Sequence, residues 1–296
     1  MYIKQFLFLI LGTTIWGLSP IFYSFLLKVP AIEIVAHRSF WSMVFLLLYL
    51  ILFAKVGFRI FVRDRQELFL LSIAGTLIAI NWYGFIYAVN SGNALQASLG
   101  YYIFPLVAVF LGYSFNKERF TRIQLISIIL AFISVMILTI QSGEIPMLAI
   151  VLAFSFGIYG LIKGKIKLDA ISSVAFETLI IVPFTLFLVH LLYSEFHIFP
   201  SDRSSNTHFL LIFSGLITAI PLVLFSSATK FFSYATVGLV QYLNPSIQFL
   251  IAVYYFNEPF LLGHFFSFLL IWIALALYSF DSIRREVTKV DIREFT

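Results

Sequence analysis

The sequence predicts an all-α membrane protein of about ten transmembrane helices, arranged as two inverted five-helix repeats. Three observations predict it. Apolar residues make up 61% of the chain and charged ones only 11%, a balance that a water-soluble globule does not have. The apolar residues fall into about ten runs of near-membrane length, with the charges between them. The second half also replays the first about 140 residues on: Tyr102, Pro105, Glu118 and Phe120 recur as Tyr242, Pro245, Glu258 and Phe260. Gly75, Ala79, Ile80, Phe85 and Ala88 recur likewise as Gly215, Ala219, Ile220, Phe225 and Ala228.

The expected spans, in order, are 3–27, 34–53, 68–89, 94–115, 123–140, 146–162, 171–193, 209–229, 236–256 and 261–280. Each is read as a helix because lipid offers no partner to a backbone N–H or C=O, so the segment must satisfy its own. The first run follows a single Lys4 and lacks a small-x-small cleavage site, so it reads as a retained span and not a signal peptide. Asn90-Ser91-Gly92-Asn93 has the composition of a tight turn between the third and fourth runs. No stretch between runs is long enough to fold alone, and no GxxxxGK[ST] loop is present to bind ATP.

Lysine and arginine set the orientation. With the N-terminus inside, one face collects Lys4, the Lys55–Arg65 loop, Lys117, Arg119, Arg122, Lys163, Lys165, Lys167, Lys230 and the Arg284–Arg293 tail. The other face has only Lys28, Arg38 and Arg203. Both termini are thus expected in the cytoplasm, with five spans per half. An odd number makes the second half enter the membrane upside down, as in transporters that rock two related halves about a central site. The positive net charge is this loop bias and implies no nucleic acid partner. Cysteine is absent, and His37, His190, His197, His208 and His264 are scattered without metal-ligand spacing, so no metal site is expected.

Several residues stand out as a substrate pathway. Arg38 lies well inside the second run, where an ionisable residue costs about 2.5–3.5 kcal/mol and usually faces a cavity or a partner. The bland reading is that it snorkels to the headgroups. Glu33, His37 and Trp41 share a neighbouring helix face. Glu177 occupies the matching place in the second half, at nearly the same depth, so a direct Arg38–Glu177 pair is one expectation and separate partners are the other. Gln241, Asn244 and Gln248 form one helical stripe, and Pro245 beside them interrupts the backbone ladder. The equivalent positions of the fourth span are Tyr101, Phe104 and Ala108, so an amide wall is expected to face an aromatic one, with Tyr102, Tyr242 and Pro105 adjacent. The amides could equally glue helices together. Asn81, Trp82, Tyr83 and Tyr87 complete the candidates, although Tyr87 also suits an interfacial belt. Glu118 and Glu258 end the fourth and ninth runs and read as structural acids at the membrane boundary.

Trp16-Gly17-Leu18-Ser19-Pro20, Glu33-Ile34-Val35-Ala36-His37-Arg38-Ser39-Phe40-Trp41-Ser42, Asn81-Trp82 with Tyr87-Ala88-Val89-Asn90, and Leu99-Gly100-Tyr101-Tyr102-Ile103-Phe104-Pro105-Leu106 together resemble the RarD branch of the EamA family. That branch belongs to the drug/metabolite transporter superfamily, and the resemblance covers nearly the whole chain. It implies a ten-helix inner-membrane permease built of two five-helix units, 1–143 and 144–296, with no cofactor. It also implies that the third, fourth, eighth and ninth spans surround the solute cavity. The expected partners are the lipid bilayer and a small-molecule substrate; monomer and homodimer both stay open. The alternative weighed is an intramembrane lipid-modifying or proteolytic enzyme, which would need paired acids and histidines within the membrane.

Overall fold

The computed structural model describes residues 2–53, 64–90, 94–143, 147–192, 204–257 and 262–294. They form eleven helices: α1 (Tyr2–Ser24), α2 (Ala31–Leu52), α3 (Arg65–Asn90), α4 (Ala94–Asn116), α5 (Arg122–Ser142), α6 (Met147–Lys163), α7 (Ala170–Leu192), α8 (Ser205–Phe231), α9 (Tyr234–Val240), α10 (Leu243–Tyr254) and α11 (Leu262–Glu294). No strand occurs among the described residues. Eight of the helices are long and apolar enough to cross a membrane, namely α1 to α5, α7, α8 and α11; α6 is a shorter apolar helix. Their outer faces carry large apolar side chains such as Phe69, Phe132, Phe187, Phe209 and Phe266, which places the chain in a lipid bilayer as a multi-pass protein.

The expected ninth run is split. α9 and α10 have 7 and 12 residues, which at 1.5 Å per residue give about 10 and 18 Å, so neither spans alone. The break is local chemistry. Pro245 has no N–H to give the Gln241 carbonyl, which accepts instead from Asn244 N–H at 3.0 Å, while Gln241 and Tyr242 bond back by three residues to Gly238 and Leu239. Pro105, the repeat partner, lies inside an uninterrupted α4 and breaks nothing. At the other end of the chain, α11 continues well past the last apolar run, because the polar residues after Phe280 include no helix breaker.

Helix ends follow from sequence. A capping box of Thr121 and Gln124 starts α5, and left-handed Gly143 (φ 68) ends it. Ser204 and Ser233 cap α8 and α9. Lys117 (φ 56) and Asn257 (φ 54), the non-glycine residues with positive φ among those described, lie 140 residues apart, the spacing of the internal repeat. Packing is reciprocal as well: α1 packs on α8 and α6 on α3, while α2 meets α7, α4 meets α9 and α5 meets α11. Two crossings need glycine because backbones approach closely. A Cβ on Gly215 would lie 2.5 Å from Trp41 Cβ, and one on Gly238 would lie 2.4 Å from Ala108 Cβ.

Candidate functional site

A cavity with an empty volume of about 670 Å³, its open mouth included, lies between the two halves. Its polar wall is Gln241, Asn244 and Gln248, held on either side of the α9–α10 break. Gln248 Nε2 donates to Asn244 Oδ1 at 2.9 Å, which fixes one amide against the next. The Gln241 amide nitrogen is buried with no hydrogen-bond partner among the described residues. Tyr101, Phe104 and Phe85 supply aromatic surface from α4 and α3, Trp16 and Tyr23 from α1, and Phe156 from α6. Ser19 and Ile217 close the remainder. The helices implied by the family resemblance all contribute, but α1, α2 and α6 line the cavity too.

Arg38 is the eighth residue of α2 and only 7% exposed, so it does not snorkel to the surface. Its Nε donates to Thr218 Oγ1 at 3.0 Å. Its guanidinium carbon lies 4.6 Å from the centre of the Trp82 ring and 5.7 Å from that of Tyr23. Asn81, beside Trp82, donates to the Leu152 carbonyl at 2.9 Å and to Ser155 Oγ at 3.1 Å, so it ties α3 to α6 while also lining the cavity.

Arg38 and Glu177 do not meet. Glu177 is fully buried between α6 and α7, where Oε1 lies 2.6 Å from Lys163 Nζ and Oε2 accepts from the Tyr159 hydroxyl at 3.1 Å. Ser173 donates to the same carboxylate at 3.2 Å and accepts from Lys163. Glu177 is thus not on the cavity wall. Residue counting says nothing of azimuth, and Lys163, read from sequence as a loop cation, is enclosed at the last turn of α6.

Other candidates also sit elsewhere. Tyr83 and Tyr87 are 49% and 54% exposed and stack on each other on the outer face of α3. Asn81, Trp82 and Phe85 hold the inner face. Tyr102 and Tyr242 are buried in a second apolar cluster, with the Tyr102 hydroxyl donating to the Pro245 carbonyl at 3.3 Å. Both are packing residues around the helix break. His37 is buried on α2 with Nε2 3.7 Å from Glu33 Oε1 and is not on the cavity wall; Trp41 packs at the α2–α8 crossing. Glu258 lies outside the described residues. Sequence reading missed Trp16, Ser19, Tyr23, Phe85, Phe156 and Ile217 as lining residues, since an aromatic in an apolar run looks the same whether it faces lipid or cavity.

A further set of polar ties between the halves lies at the Lys/Arg-rich end. The Glu118 carboxylate accepts from the backbone N–H groups of Tyr234 and Ala235 at 2.6 and 3.0 Å and so caps α9 across the halves. Glu67 accepts from Leu168 N–H at 2.7 Å, and Lys230, of the same half as Leu168, holds that turn by donating to the Leu168 carbonyl. Gln5 accepts from Ser227 at 3.1 Å, and Thr121 donates to Asp281 at 2.9 Å.

Comparison with known proteins gives the family of the chain. The model of the EamA-like transporter family matches twice, over residues 3–140 and 145–280. An uncharacterized transporter of Bacillus subtilis, YojE, is 40% identical over 91% of both chains. Protein RarD of Escherichia coli is 34% identical over 91% of both chains. A more distant relative, named chloramphenicol-sensitive protein RarD, of Pseudomonas aeruginosa, is 28% identical over 90% of both chains. One solved crystal structure superposes with a TM-score of 0.73 over 94% of this chain and 98% of its own, at 16% identity, a likeness of fold alone. The match over both halves and the RarD relatives settle the resemblance drawn from sequence: the chain belongs to the EamA-like transporter family, in its RarD branch.

Proposed function

We propose that this chain is a secondary-active permease of a bacterial-type inner membrane, moving a small organic solute through the cavity by alternating access. The observation that carries the reading is the cavity itself. Its walls come from both halves, and its amide wall sits at a helix break, where a membrane protein tolerates irregular backbone only beside protein or a water-filled space.

In this reading the halves are 1–143 and 144–296, related as inverted five-span repeats, with α9 and α10 together making one span of the second. The reciprocal packing and the left-handed pair Lys117 and Asn257 support that relation. Both termini lie in the cytoplasm by the Lys/Arg bias. The ties at the Lys/Arg-rich end support reading this as a conformation closed toward the cytoplasm, and transport then requires them to part. The relatives carry transporter names, which supports transport over intramembrane enzymology.

Flux in proteoliposomes tests the reading. A panel of labelled small organic solutes is screened for uptake by the wild type, then by Gln241→Ala, Asn244→Ala and Gln248→Ala. Each is expected to lower uptake more than it lowers the amount of folded protein. Wild-type flux in all three variants means the amides are packing residues and the cavity is not the path.

A further inference from the structure

The cavity wall is electrically one-sided. Arg38 contributes a full positive charge, and none of the lining residues is Asp or Glu. Among the described residues the ion pairs are Lys163–Glu177 and Glu33–His37, so no carboxylate lies within ion-pair distance of the Arg38 guanidinium. The charge is aimed by its surroundings. Thr218 spends its own hydroxyl hydrogen on the Ser214 carbonyl at 2.8 Å, which leaves its oxygen to accept from Arg38 Nε. Trp82 and Tyr23 hold the guanidinium by their faces without neutralising it. Two further buried groups of the lining, the Gln241 amide nitrogen and the Tyr23 hydroxyl, have no hydrogen-bond partner among the described residues. A buried guanidinium with unsatisfied donors around it calls for an acceptor-rich anion. The apolar remainder of the lining is largely aromatic.

We infer that the solute is a small organic anion, a carboxylate on a planar apolar body, whose charged end docks on Arg38 and whose body lies between the rings. This rests on the reading of the cavity as the solute site. It excludes organic cations as preferred cargo, because the lining offers an ammonium no carboxylate.

Three probes of one shape separate the charge states: phenylacetate, phenylacetamide and phenethylamine. Trp16 and Trp82 line the cavity, so binding is read by tryptophan fluorescence on protein purified in neutral detergent. The expected order is acid, then amide about tenfold or more weaker, then amine. Arg38→Gln should erase the preference for acid over amide. Arg38→Lys keeps the charge without the planar fork and should retain part of it. A wild type that ignores the acid, or that prefers the amide or amine, overturns the inference, and that result needs no variant to fold. Titration with phosphatidylglycerol is the second arm. An Arg38-dependent response to the lipid together with none to phenylacetate would make the anion a headgroup and also overturn it. Uptake of amide or amine but not of acid, falling in Asn244→Ala, would sink the anion and leave the cavity standing as the path. Uptake of every solute indifferent to every cavity substitution would sink the path itself.

Discussion

Glu177→Gln removes a charge from a site where both partners are fully enclosed and where, among the described residues, no second carboxylate lies within ion-pair distance of Lys163. Three side chains converge on this carboxylate: Lys163 at 2.6 Å, Tyr159 at 3.1 Å and Ser173 at 3.2 Å. Taking away one member of a buried pair leaves the other charge uncompensated and typically costs about 3–5 kcal/mol. Glutamine keeps the volume and one acceptor, so Glu177→Gln should fall near the lower end, about 3 kcal/mol, and Lys163→Met nearer the upper. In Lys163→Met with Glu177→Leu both charges are gone, and replacement of a buried pair by apolar groups is often neutral. What remains is two hydroxyls short of an acceptor, about 1–3 kcal/mol each at most. The double variant should therefore cost less than its single variants summed, by about 2 kcal/mol or more. Equilibrium unfolding in mixed detergent micelles reads all of these. Single variants that cost under about 1 kcal/mol, the range of an exposed pair, would refute the burial argument. A double variant equal to the sum would refute the pairing.

The close crossings make a graded test. Gly215→Ala and Gly238→Ala should each destabilise by about 1–3 kcal/mol, whereas Gly75→Ala, whose new Cβ would have its nearest neighbour at an ordinary 3.6 Å, should be tolerated in the same assay. Glu118→Ala should cost about 0.5–2 kcal/mol through loss of the α9 cap, with Glu118→Gln milder because it keeps an acceptor; equal losses would mean the cap is not what Glu118 supplies. Native cysteine is absent, so single cysteines report sidedness cleanly. Lys28→Cys should react with an impermeant thiol reagent on intact cells and Lys117→Cys only after the membrane is broken, and the reverse pattern would invert the orientation.

Sequence alone determined the class of the molecule, because an apolar run in lipid has one open-chain solution and the spacing of such runs is visible by inspection. It also located the amide stripe and its proline, since both are patterns within a single segment, but that the helix breaks before Pro245 and not at Pro105 was not legible there. Arg38 was conspicuous for a similar local reason: a cation inside an apolar run is costly wherever the helix packs. The azimuth of each helix was decided by tertiary structure. Lipid is about as apolar as the interior of the bundle, so hydrophobic periodicity does not separate an inward face from an outward one. For that reason Tyr83 and Tyr87 looked like neighbours of Asn81 and Trp82 in function, yet they face outward. For the same reason Trp16, Tyr23 and Phe156 gave no sign of facing the cavity. Glu177 shows the limit most clearly. The choice between Arg38 and Lys163 as its partner is made by the direction in which α7 turns it, and that direction is set by packing against α2 and α3, far away in the chain.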